Sequence, residues 1–161
     1  MLNATGEGAP VYRSAGFRSL GLGRTWWKHP GPAPTPRQAA LVEAIGFGEL
    51  EELAALAPTD DELAAEIPGG GPPLAVAVVT GQAGAADWIL ARRPDLVSRP
   101  VEPRGGTLLH VAVEWDDEAL VSVALAHGAD RGARDTAWHS TPLEWAEHLG
   151  RPRLAALLRG T

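Results

Sequence analysis

Apolar residues recur along this chain in a two-helix rhythm. A Leu-x-x-Ala step appears at Leu41/Ala44, Leu74/Ala77, Leu109/Ala112 and Leu143/Ala146, at intervals of 33, 35 and 34 residues. Seven residues after each leucine stand Gly48, Gly81, Asp116 and Gly150, a signal that closes one helix and turns the chain into the next. A second apolar stripe then follows at helical spacing: Leu50, Leu53 and Leu56; Ile89 and Leu90; Leu120 and Val121; Leu154 and Leu157. The pattern predicts four helical hairpins. Thr35, Thr59 and Thr141 are each followed three residues later by Gln38, Glu62 or Glu144, the Ser/Thr-x-x-Glu/Gln capping box at a helix start. Pro36 and Pro142 sit just after the cap, where a missing N–H wastes no hydrogen bond. The alanines let neighbouring inner helices approach closely. No hairpin buries both of its faces alone, so stacking supplies the core, and four units approach the lower limit for a stable array.

These residues resemble the ankyrin repeat, which runs from a Thr-Pro-Leu-His start through a small inner alanine, a glycine turn and a Leu-rich outer helix to a closing Gly-Ala-Asp. The third copy matches best. It keeps Thr107, Leu109, His110, Ala112, Leu120, Val121, Val123, Leu125, Gly128, Ala129 and Asp130, with Leu108 in place of the family's proline and Asp116 in place of its glycine. The fourth keeps Thr141, Pro142, Leu143, Ala146, Gly150, Leu154, Leu157 and Leu158 but has Glu144 for the histidine. The second copy reads Pro72-Pro73-Leu74-Ala75 and ends in Arg93-Pro94-Asp95, and the first keeps only the leucine, alanine and glycine frame, as degenerate end copies must to act as caps. The resemblance implies an all-α ankyrin-repeat solenoid over residues 37–161, with repeats at 37–68, 69–104, 105–138 and 139–161, behind a non-repeat arm at 1–36. It also implies that His110 hydrogen-bonds within and between repeats, that Glu144 serves as a helix cap, and that the partner is another protein, with no cofactor.

Composition narrows the setting. The chain has 161 residues, 45% of them hydrophobic, enough for one continuous core, and no apolar stretch approaches the roughly 18 residues of a membrane helix. There is no cysteine, hence no disulfide or thiolate chemistry, and no charged start followed by an apolar core that would mark a secretory signal. A cytoplasmic, soluble protein with no membrane partner is the expectation. Lysine occurs once, at Lys28, and abundant Ala, Gly, Pro and Arg suggest a bacterial, high-GC coding sequence.

Charge separates the arm from the repeats. Residues 1–37 carry Arg13, Arg18, Arg24, Lys28 and Arg37 against Glu7, a net +4 that leaves −10 on the remainder. Tyr12, Phe17, Trp26 and Trp27 alternate with these cations, while glycine and proline interrupt any long helix. Three readings of the arm stand open: a tail, a segment packed back on the acidic repeats, or a docking motif of its own. Back-packing is preferred, because two adjacent tryptophans carry much apolar surface. A body of net −10 repels polyanions, so nucleic acid is not an expected partner.

In an ankyrin-like hairpin the recognition stripe lies at the end of the inner helix, which here means Gly46 and Phe47, Val79 and Thr80, Glu114 and Trp115, His148 and Leu149. Trp115, beside Glu114 and the pair Asp116-Asp117, suits an Arg- or Lys-bearing segment, unless Trp26 and Trp27 cover it. The finger from Asp130 to Ser140 adds Trp138 and His139 as a second surface, whereas Trp145 belongs to the core. An acid–base or metal cluster of His110, Glu114, Glu144 and His148 can be drawn, yet no nucleophile turn, His-Glu-x-x-His or phosphate loop accompanies it. The chain therefore reads as an interaction module, monomeric or weakly self-associating through Leu154 and Leu158. The alternative is a small-molecule binder or atypical enzyme whose pocket the arm closes.

Overall fold

The computed structural model describes residues 33–68, 71–101 and 105–160, together with the backbone of 18–19 and 26–27. The described residues are mostly helical. Their only strands are β1 (Arg18–Ser19) and β2 (Trp26–Trp27), paired antiparallel with Arg18 opposite Trp27. No helix among them is long and apolar enough to cross a membrane. The chain forms two compact units, residues 1–82 and 83–161.

In the first unit, α1 (Pro36–Phe47) and α2 (Leu50–Leu56) form a hairpin, followed by the short α3 (Asp60–Ala64) and by α4 (Pro73–Val79). Both threonine caps form. Thr35 accepts from Gln38 N and Gln38 Oε1 accepts from Thr35 N at 2.9 Å, while Thr59 and Glu62 repeat the exchange at the start of α3. Arg37 then ties α1 to α3 through Glu62, with Nη2 2.9 Å from Oε2. That ion pair and the cap on Thr59 hold the Glu62 carboxyl at about 2.

The first hairpin's outer stripe is narrower than its leucines predict. Leu53 is fully buried, but Leu56 is half-buried and Leu50 is exposed. Three-residue steps drift by about 60° around a helix, so in a two-turn helix only the central leucine faces inward. Thr59 starts the separate α3 within the link between the first two inner helices. Backbone pairing between Ile67 and Gly71 closes that link at 3.0 and 3.1 Å.

The second unit holds α5 (Ala83–Arg92), a 3-10 turn at Pro94–Ser98, the hairpin of α6 (Leu108–Glu114) and α7 (Glu118–Ala126), and the hairpin of α8 (Pro142–His148) and α9 (Pro152–Arg159). Ile89, Leu90, Leu108, Leu109, Ala112, Leu120, Val121, Ala146 and Leu154 are almost wholly buried. Burying each large apolar side chain contributes about 1.5–3 kcal/mol. Leu143 departs from the other frame leucines and is only half-buried. His127 joins the outer helices, its Nε2 2.8 Å from Asp87 Oδ1.

All four inner helices end in the same way. Gly48, Gly81, Asp116 and Gly150 adopt φ values of 69°, 70°, 57° and 66°. The following N–H of Glu49, Gln82, Asp117 and Arg151 reaches back to the carbonyl of Ala44, Ala77, Ala112 and Ala146, at 2.8 Å in every case. This is the six-to-one bond of a Schellman turn. Each frame alanine thus has two functions: its missing bulk admits a neighbouring helix, and its carbonyl anchors the turn.

Candidate functional site

The second unit brings two inner-helix ends and the Asp130–Ser140 finger together. Glu114 and Trp115 close α6 just as His148 and Leu149 close α8, and helical caps direct the backbone N–H groups of Trp115 and Leu149 inward to Val111 and Trp145 at 3.1 and 2.9 Å. Their side chains project outward. Trp115 is 61% exposed and Leu149 41%.

The finger is organised by a residue that the apolar pattern does not reveal. Asp135 is 1% exposed and accepts four N–H groups: Ala137 at 2.8 Å, Trp138 at 2.6 Å and Ser140 at 3.1 Å from the backbone, and Trp145 Nε1 at 3.1 Å. Burial alone would raise its carboxyl, but the donors of Trp138, Trp145, Ser140 and Ala137 outweigh burial and hold it at about 2. The finger therefore carries a fixed anion at neutral pH. It turns Trp138 outward, 59% exposed, with its ring edge-on to Trp145 at 5.5 Å and 65°.

Trp145 is buried, as expected for the core, and meets His110 edge-on at 5.4 Å. His110 Nδ1 accepts the Thr107 N–H at 3.1 Å, so the ring proton sits on Nε2, which donates to the Ser140 carbonyl at 3.0 Å. Both nitrogens are committed to the frame, within the third hairpin and across to the finger before the fourth. Among the described residues no three His, Asp or Glu side chains are grouped to hold a metal.

Glu144 completes the arrangement. Its Oε2 accepts from Thr141 N at 2.7 Å and Thr141 Oγ1 at 3.0 Å, and lies 3.4 Å from Arg134 Nη1. The Thr141 donors lower its carboxyl against burial, with help from Arg134, so it too stays ionised. Arg134 also donates to the His139 carbonyl, bracing the finger where His139 takes a left-handed φ of 54°.

A cleft of about 460 Å³ opens between these elements, lined by Glu114, Trp138, Ser140, Glu144, Trp145, His148 and Leu149. Four residues singled out by sequence meet there: Glu114, Trp138, His148 and Leu149. Trp115 and His139 are exposed in the same unit but do not line it. Phe47 and Thr80 belong to the first unit, where Phe47 is half-buried and the Thr80 hydroxyl donates back to the Val76 carbonyl at 2.7 Å. The side chains of Trp26 and Trp27, and most of the arm, lie outside the described residues.

Sequence reasoning missed Asp135 and Ser140, assigned Trp145 to the core, and placed Glu144 mainly in the scaffold, with a site role only in the alternative reading. A local signal existed for Asp135, since Asp accepting from the second and third following N–H groups makes an Asx turn. Its bonds to Ser140 and Trp145 required the folded finger. Compared with known proteins, this chain matches no family model and no curated protein.

Proposed function

We propose that this chain is an ankyrin-type interaction module that binds another protein through the cleft and exposed rim of its second unit. The observation carrying this reading is the convergence of Trp138, Leu149, Glu114 and His148 on one concavity. Two tryptophan rings at its wall and the carboxylates of Glu114 and Glu144 at its edge suit recognition rather than turnover. The fourfold Schellman turn and the His110 bonds support the ankyrin reading, because they place a repeated backbone device at a spacing of 33 to 35 residues. In this reading the protein is cytoplasmic and bacterial, monomeric or weakly self-associating, and acts by occlusion or scaffolding.

The small-molecule alternative retains one observation, the presence of both Glu144 and His148 in the cleft lining, but His110 is withdrawn from it by its bonds to Thr107 and Ser140. Site-specific photo-crosslinking in living cells separates the two. A benzophenone side chain at Leu149 is expected to yield a discrete protein adduct that the same probe at Arg153 on the outer helix does not. Equal labelling at both positions, or none, would sink the reading.

A further inference from the structure

The lining of the cleft specifies more than a generic partner. Its charged residues are Glu114 and Glu144, and among the described residues no arginine or lysine lines it. Asp135 adds a buried negative charge directly behind Trp138 and Trp145, accepting from the backbone of one and the indole of the other. The walls are aromatic, and an indole face attracts a cation through its quadrupole. Anionic edge and aromatic wall favour the same class of ligand, a cation.

The protein's own side chains indicate which cation. Arg134 already sets a guanidinium against Glu144 Oε2, on the finger beside the cleft, and is itself 57% exposed. Arg134 Nη1 and the Thr141 N–H and hydroxyl all meet Glu144 on Oε2. A guanidinium presents five donors in one plane, so it can bond a carboxylate at its edge while its face lies on an indole, a geometry an ammonium does not reproduce. The apolar rim says what surrounds that group. Leu149 at 41% and Trp138 at 59% exposure extend beyond the cavity, offering cover to flanking apolar side chains that a free small cation lacks.

We infer that the cleft between the Asp130–Ser140 finger and the ends of α6 and α8 receives an arginine side chain from a partner polypeptide, with apolar neighbours of that arginine packing on Leu149 and Trp138. This rests on the interaction-module reading and adds the chemistry of the partner.

The test is a fluorescence-anisotropy titration of the full chain with three labelled heptapeptides having Gly-Ser ends and two leucines flanking a central residue: arginine, citrulline or glutamate. Citrulline preserves the plane and removes the charge. The arginine peptide is expected to bind about tenfold or more tighter than its citrulline twin, as charge-assisted bonds to a carboxylate require. Glu144→Gln combined with Glu114→Gln should erase that preference, and Gln at position 144 keeps the capping box, so circular dichroism should remain unchanged. Arg134→Ala should tighten the arginine peptide a few-fold by removing an internal competitor, a change that a merely structural Arg134 would not produce.

Equal binding of the arginine and citrulline peptides, or a preference that survives the double glutamine variant, would overturn the inference. If all three peptides bind equally and Trp138→Ala abolishes them, the cation chemistry fails while the docking surface stands. If none binds, the arginine inference fails, and the crosslink at Leu149 alone decides whether the module binds a protein by other chemistry.

Discussion

The turn that ends each inner helix occurs four times, and the Asp135 finger occurs once. The turn is assembled from backbone groups and needs only a residue tolerant of positive φ, four positions after the alanine whose carbonyl anchors it, so small sequence changes leave it intact. The finger is assembled around one buried carboxylate, satisfied by three backbone donors of the finger itself and by the Trp145 indole of the following helix. Repetition therefore marks the scaffold, and the departure from repetition marks the surface that the scaffold presents.

The contrast breaks first at Asp135. Asp135→Ala strands three backbone N–H groups and the Trp145 indole in a buried place, and should destabilise the protein by roughly 3–5 kcal/mol in urea denaturation. No substitution at a repeated turn should cost as much.

Acid should act on the same group. Its folded value of about 2 lies below the ordinary 3.8, so the stabilisation is complete above pH 4 and is lost as pH falls through about 2. The loss amounts to about 2 kcal/mol, read as the pH dependence of the urea midpoint. Asp135→Asn should flatten that part of the curve.

At the turns the effects are smaller and opposite in sign. Asp116 is the non-glycine member, at φ 57°, and its carboxylate lies 3.2 Å from Arg151. Asp116→Gly should raise stability by up to about 1 kcal/mol, relief of left-handed strain exceeding the loss of an exposed ion pair. Gly150→Asp should lower it by a similar amount, since no neighbour lies within 4 Å of a side chain added there and only backbone conformation is at stake. Thermal melts of the two variants check both signs.

Trp138→Ala should change stability least, by less than about 0.5 kcal/mol, because the ring is mostly exposed. A loss comparable with that of the Asp135 variant would mean that Trp138 belongs to the core and not to a recognition surface.

What could be read from the sequence follows the same division. The Thr35, Thr59 and Thr141 caps and the glycine turns depend on residues at most five apart, so local rules reach them. His110 was legible only through a resemblance, because its second partner is 30 residues away. The cleft was half legible. Inner-helix register marked Glu114, His148 and Leu149, and finger composition marked Trp138, but Ser140 and Trp145 enter the lining through the path that Asp135 imposes. Glu144 was read mainly as a cap and only secondarily as a site residue, yet a capping carboxylate can also border a cavity, and here it does both.

The bond from His110 Nε2 to the Ser140 carbonyl determines where this chain can be cut and rejoined. A graft cut at the 105–138 boundaries that the sequence resemblance implies would place its joint inside the finger, and the transplanted imidazole would then face foreign backbone in a buried site. The transferable piece runs from Thr107 through at least Ser140. Shuffling hairpins between proteins of this kind preserves the core only when the finger moves with the helix pair that precedes it.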